Sequence, residues 1–364
     1  MSLFPEEPLD SPVGYFPGQL NQTINNGRWT LIRKLGWGSR SSCWLATDSE
    51  DPENFKAIKI YTVSASKDSC STNERDILQK MRDLRIYWNV PYRRDCFYEE
   101  SEVGTHLCLV LQLLGPSVVS LLDDSTESGR YLPLHAVKQA IGEILEALCK
   151  LHRNSIIHGA VTPQNILFSS FEQGPFIRGF ISENPSNCGE NVADPAGKVY
   201  HVVKSQPMNT YELKRDSPAT DIARLIINLS NYSHARIVSE NVILDSPSNI
   251  LPPEASIEGA SIDTKADIWM LGCTIYTLLT GRELFENAPG TLSPDALEKV
   301  LAGIRVDLSA TKAMSKNDAK ETASIIKVCL RVDPAERPTA SRLCGYRWVQ
   351  SGMYCSCGWC ATDP

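Results

Sequence analysis

The chain has 364 residues, of which 42% are hydrophobic and 22% charged, with a formal net charge of −7. That balance builds a buried core and excludes a polybasic surface made for nucleic acid or anionic lipid. No run approaches the about 20 apolar residues that cross a bilayer, and the start, MSLFPEEPLDSP, is acidic and proline-rich where a secretory leader is basic then apolar. The expectation is a cytoplasmic or nuclear protein with neither a nucleic-acid nor a membrane partner.

After an N-terminal extension over residues 1–27, short β-type runs alternate with turns from 28 to 111: Trp29 to Leu35, Cys43 to Asp48, Lys56 to Tyr61 and Leu107 to Leu111. A helical pattern spans Glu74 to Leu84 among them. From 112 to 348 the pattern turns helical. Val137, Ala140, Ile141, Ile144, Leu145, Leu148 and Leu151 recur at helical spacing, and a second buried helix is legible from Ala266 to Thr280. Between 171 and 221 the periodicity is lost and Pro, Gly, Asn and Ser accumulate, which predicts a long inserted loop. The predicted class is α+β, a small β-rich part followed by a larger helical part.

Twelve cysteines are present, and Cys108, Cys149, Cys273 and Cys329 stand singly in apolar patterns as small core thiols. A tail over 349–364 carries Cys355, Cys357 and Cys360, with Cys344 upstream. One such cluster without histidine or a second pair is half a zinc site, so a reducible tail without metal is expected.

Leu35-Gly36-Trp37-Gly38-Ser39-Arg40-Ser41-Ser42-Cys43 joins two predicted strands. Glycines at alternate positions let a hairpin backbone approach phosphates, because no Cβ stands in the way. Ala57-Ile58-Lys59 follows on an apolar strand and Glu74 opens a helix, supplying a lysine and a carboxylate able to pair. After the long helix comes Ile156-Ile157-His158-Gly159-Ala160-Val161-Thr162-Pro163-Gln164-Asn165-Ile166-Leu167. His158 and Asn165 keep the spacing of the catalytic loop H-R-D-L-x-x-x-N.

Asn26-Gly27-Arg28-Trp29, Arg33-Lys34-Leu35-Gly36-Trp37-Gly38, Ser42-Cys43-Trp44-Leu45-Ala46 and Leu113-Leu114-Gly115-Pro116-Ser117 resemble the SR-protein kinases, especially the short fungal SR-protein-kinase-like proteins. In the second half the resemblance rests on Pro252-Pro253-Glu254, Asp267-Ile268-Trp269 with Gly272, Asp333-Pro334 and Glu336-Arg337. It implies a bilobal protein-kinase fold, with an N-lobe over 28–111, a C-lobe over 112–348 and Glu254 paired to Arg337. It also implies a nucleotide site of Leu35, Gly36, Gly38, Cys43, Ala57, Lys59, Glu74, Gln112, Leu114 and Asn165, with an apolar adenine slot from Leu35, Cys43, Ala57 and Leu111 to Leu114.

The chain departs from that pattern where the chemistry lies. Ala160 holds the position of the catalytic aspartate, and a methyl group neither accepts a proton nor orients a hydroxyl. Gly159 replaces the loop arginine and Thr162 the loop lysine. In the stretch Ile226-Ile227-Asn228-Leu229-Ser230-Asn231, Asn228 takes the place of the metal-binding aspartate, with Asp221-Ile222-Ala223 as a rival. Asn165 and Asn228 then form a weak metal site at best, because hard divalent cations favour anionic oxygen. The expectation is a pseudokinase with a regulatory or scaffold role, residual ATP binding with little dependence on Mg²⁺, and a protein partner. The competing expectation is an active serine/threonine kinase of SR-protein-kinase type acting on Arg/Ser-rich proteins, with Asp216 or Asp221 substituting for the missing base.

Overall fold

The computed structural model describes residues 4–123, 131–170, 174–194, 196–209, 221, 226–239, 242–311 and 314–353. They fall into two compact units. The first comprises 1–87, 91–116 and 169–211, the second 88–90, 117–168 and 212–364.

The first unit is built on a six-stranded antiparallel sheet: β1 (Thr23–Ile24), β2 (Trp29–Gly38), β3 (Ser41–Asp48), β4 (Phe55–Tyr61), β5 (Arg93–Ser101) and β6 (Gly104–Leu111), in the order β1-β2-β3-β4-β6-β5. Alternation in these strands gives two faces. Trp29, Leu31, Trp44, Ala46, Ile58, Ile60, Cys108 and Val110 gather on one, with Phe16 and Ile24 from the extension. Leu45, Phe55 and Ala57 gather in another cluster with Leu113. Register breaks between Leu31 and Arg33, and between Lys34 and Gly36, twist β2 just before its glycines. Thr62 caps the short helix Val63–Lys67 by accepting from the Ala65 N–H, and the helix Ser69–Asp83 carries Glu74.

The stretch expected as a structureless loop is partly ordered. It contains the helix Gly174–Glu183 and the paired strands Val192–Ala193 and Val199–Tyr200, and it belongs to the first unit. Its apolar residues Ile177, Phe180 and Ile181 stand at i, i+3 and i+4, which supplies the helix with one face to bury. A second anchor is ionic. Lys34, 1% exposed, reaches Glu6 at 3.0 Å and also pairs with Glu7, while Ser205 N–H and hydroxyl donate to Glu6 at 2.9 and 2.7 Å.

The second unit is organised by two helices. Leu134–Arg153 buries Val137, Ile141, Ile144, Leu145 and Leu148, and Lys265–Thr280 is buried on nearly every face. The latter ends at Gly281, whose φ of +67° closes the helix in the left-handed conformation that glycine adopts without strain. Helices Pro294–Ala310, Lys316–Cys329, Ala340–Cys344 and Arg347–Met353 complete the unit. Among the described residues, no helix is long and apolar enough to cross a membrane.

Candidate active site

In the first unit the phosphate-side elements are assembled. An added Cβ at Gly36 or Gly38 would meet nothing within 4 Å, so packing does not demand glycine there. Tyr15 of the extension donates its hydroxyl to the Gly38 carbonyl at 3.1 Å and sets its ring edge-on to Trp37 at 6.1 Å, which steadies the loop. Lys59 Nζ donates to Glu74 Oε2 at 2.7 Å, and the Tyr61 hydroxyl donates to the same oxygen. Glu74 is 1% exposed, and both donors support its buried charge.

The base-side slot is different. Leu35, Cys43, Ala57, Leu111 and Leu113 form one apolar cluster, and Ile177, Phe180, Ile181 and Met208 of the inserted stretch pack into that same cluster. Ile177 and Met208 are 0% and 1% exposed. Burial pushes the Cys43 thiol up to about 11, in keeping with an apolar neighbour. Gln112 is half-buried with its N–H on the Tyr92 carbonyl at 3.1 Å, and Leu114 is buried.

In the second unit the loop from His158 to Asn165 hangs from Asp267. The two carboxylate oxygens accept from the N–H groups of His158 and Gly159 at 2.8 Å each, and His152 Nε2 lies 2.8 Å from Oδ2. Burial opposes ionisation of Asp267, but the His152 hydrogen bond and the charges of His152 and His158 hold its carboxyl below the usual value. The Ala160 N–H approaches His158 Nδ1 at 3.3 Å, and His158 Nε2 lies 3.0 Å from the Ser230 carbonyl. The same imidazole stacks edge-on against Tyr232 at 4.9 Å. Ala160 itself is 2% exposed.

Position 159 tolerates only glycine in this arrangement. Its φ is +77°, and an added Cβ would lie 2.4 Å from the His234 carbonyl oxygen. The expected Glu254–Arg337 pair forms as a bidentate contact at 2.6 and 2.7 Å, with the guanidinium 5.0 Å over the Trp269 ring.

The structure separates the two asparagines of the predicted metal site. Asn228 is in the strand Ile227–Leu229, 3% exposed and opposite Leu167. The residue that meets Asn165 is Asn231, three positions on, where the chain leaves the strand with φ +65°. Asn231 Nδ2 donates to Asn165 Oδ1 at 3.1 Å. Sequence reasoning missed Asn231, although two signals were available. Asparagine is enriched in the left-handed region, and the antiparallel pairing of Leu229 with Ile166 puts residues beyond 229, not 228, level with Asn165. Asp221, the rival, precedes this strand in the chain, and Ile222 and Ala223 beside it lie outside the described residues. Asp216 and the tail cysteines Cys355, Cys357 and Cys360 lie outside the described residues.

These contacts form a chain with one possible polarity. The Ala160 carbonyl can only accept, so Asn165 must present Nδ2 to it, at 2.9 Å. That turns Asn165 Oδ1 toward Asn231, which must present its own Nδ2. Asn231 Oδ1 in turn accepts from the Ser233 hydroxyl at 2.9 Å. Both amide oxygens that would ligate Mg²⁺ are engaged by hydrogen donors, and neither carries charge. The residues present do not fit a divalent cation. Among the described residues, no group of three or more His, Cys, Asp or Glu is placed to hold a metal. A cavity of about 300 Å³ opens beside this chain, bordered by Ala160, Thr162, Asn165, Asn231 and His234, and Glu283 is the one carboxylate among its described lining residues.

A β-rich unit with a glycine hairpin and a lysine–glutamate pair, and a helical unit with an aspartate-hung loop, together define the protein-kinase class. The model of the protein kinase domain matches residues 29–178 and 227–349, stepping over most of the inserted stretch. The chain belongs to the protein kinase family. Within that family it is SR-protein-kinase-like. It is 27% identical over 285 residues to the serine/threonine-protein kinase SRPK of Physarum polycephalum, covering 75% of this chain and 65% of that one. It is 32% identical over 159 residues to the protein kinase dsk1 of Schizosaccharomyces pombe (42% and 29% of the two chains) and 32% over 219 to human SRSF protein kinase 3 (58% and 37%). The chain thus spans less than two thirds of the length of these curated relatives.

Proposed function

We propose that this protein is a pseudokinase: a protein-kinase fold that binds a protein partner without transferring phosphate to it. The observation that carries the reading is the polarised chain from the Ser233 hydroxyl through Asn231 and Asn165 to the Ala160 carbonyl. It stands where a base and a cation-binding carboxylate would be needed, and it satisfies itself with neutral groups. Loss of a general base alone typically costs about 10² to 10⁴ in rate. Without the metal, the charge on a transferring phosphoryl group also goes uncompensated.

Nucleotide use is general to the protein kinase domain, and here its two ends have diverged. Gly36, Gly38, Lys59 and Glu74 keep the phosphate side, while Ile177 and Met208 occupy the apolar cluster assigned to adenine. Binding of ATP is therefore weak and independent of Mg²⁺ in this reading. The partner is an Arg/Ser-rich protein, drawn by the net charge of −7 to an acidic module of the kind its SR-protein-kinase relatives suggest. Phosphotransfer to an Arg-Ser-repeat peptide tests the assignment. The native chain is expected to show none above background, and an Ala160→Asp, Asn231→Asp double variant to gain measurable turnover. Mg²⁺-dependent turnover by the native chain would refute the pseudokinase assignment.

A further inference from the structure

Two thiols of the second unit take no part in the site. Cys149 lies on the buried face of helix Leu134–Arg153, and Cys344 ends helix Ala340–Cys344, which packs against it. Their sulfurs are 3.6 Å apart. A disulfide places two sulfurs about 2.05 Å apart, so rotation about the side-chain bonds and a small shift of the short helix span the difference. Cys344 is half-buried and open to a small oxidant, whereas Cys149 lies behind it. Cys273 and Cys329 make the contrast: they are 3% and 0% exposed, and burial pushes the Cys329 thiol up to about 12.

We propose that Cys149 and Cys344 form a reversible disulfide when a hydroperoxide reaches the chain, stapling the C-terminal helices to helix Leu134–Arg153. A hydrogen bond with Cys149 lowers the Cys344 thiol below its ordinary value, against burial and the charge of Glu146, with Arg153 assisting. The Cys344 thiolate is the nucleophile. It attacks one peroxide oxygen; the S–O bond forms, the O–O bond breaks, and with hydrogen peroxide the other oxygen leaves as hydroxide and takes up a proton as water. Cys344 is now a sulfenic acid. The Cys149 sulfur, until then held up by its bond to the Cys344 thiolate and by burial, displaces the hydroxyl group: the S–S bond forms, the S–O bond breaks, and the Cys149 proton leaves with the hydroxyl as a second water. Two thiols lose two electrons and two protons, and one peroxide is reduced to two waters.

The staple closes a loop between residues 195 positions apart, within which lie His158, Asn165, Asn231, Glu254 and Arg337. Such a long closure strongly restricts the unfolded chain. The same helix carries a second attachment about three turns earlier, where Lys138 donates to the Ser351 hydroxyl at 3.0 Å and sits 5.6 Å over the Trp348 ring.

The test uses the full chain, treated with a small excess of hydrogen peroxide, alkylated, digested without reductant and mapped by mass spectrometry. A peptide pair joining Cys149 to Cys344 should become the majority form, revert with dithiothreitol, and vanish in Cys149→Ser and in Cys344→Ala. The oxidised native chain should also melt higher than the reduced one, with no such rise in either variant. Pairing of Cys344 with Cys355, Cys357 or Cys360, over-oxidation of Cys344 with Cys149 still alkylated, or no crosslink at all would each overturn the proposal.

Discussion

Two sets of polar contacts in the second unit meet at one loop and are built in opposite ways. Around Asp267 and Glu254, buried carboxylates keep charged or N–H partners at 2.6 to 2.8 Å. Around Ala160, amides and a hydroxyl satisfy one another at 2.9 to 3.1 Å, and no charge remains. The first set holds the loop in position; the second stands where the proposed reading puts the missing base and metal ligand. A buried charge left unpaired is costly, so substitution at Asp267, Glu254 or Arg337 is strongly destabilising. A catalytic charge is itself a burden on stability, and replacing it by neutral groups that pair is tolerated.

The largest expected effect is at Arg337. Arg337→Met leaves the Glu254 carboxylate buried without its partner and should cost about 3–5 kcal/mol in urea denaturation. A loss below about 1 kcal/mol would erase the contrast between the two sets. Next comes Asp267→Asn, which should cost about 1.5–3 kcal/mol as charge-assisted hydrogen bonds to the loop weaken. Because the folded value of Asp267 lies below its unfolded one, its contribution is present above the unfolded pKa and fades as pH falls through the folded value. The native chain should therefore lose stability in acid more steeply than the Asn variant.

Asn231→Asp sharpens the comparison from the other side. Its carboxylate would face Asn165 Oδ1, oxygen to oxygen, and the variant should lose about 1–3 kcal/mol without metal. It should then regain stability as Mg²⁺ is added, while the melting temperature of the native chain stays flat; a native midpoint that rises with Mg²⁺ would contradict the neutral chain. The smallest effect is expected at Lys59→Met. Glu74 keeps the Tyr61 hydroxyl, so the loss should be about 1–2 kcal/mol in thermal unfolding, below that at Arg337.

Much of the fold was legible because its signals are local. Gly36 and Gly38 between strands, Lys59 on an apolar strand and Asp267-Ile268-Trp269 opening a buried helix each place themselves by spacing. The Glu254–Arg337 pair was available from the resemblance alone. The metal position was harder: Asn228 and Asn231 lie three residues apart, and only the strand pairing says which one clears the sheet. The inserted stretch was obscured in another way. Its Gly174-Pro175 start and polar flanks hide a single helical turn pattern in Ile177, Phe180 and Ile181, and the cluster that these residues join comes mostly from β-strands more than a hundred positions earlier.

The backbone at Gly159 has a consequence for the history of the molecule. With φ at +77° and the His234 carbonyl 2.4 Å from where a Cβ would stand, a side chain at 159 strains its own residue and displaces its neighbour. His234 is itself tied to Asp245 at 3.0 Å, so the displacement spreads. An arginine introduced at this position would thus make a less stable protein. Selection acting one substitution at a time cannot easily cross that dip, so the backbone itself holds glycine there.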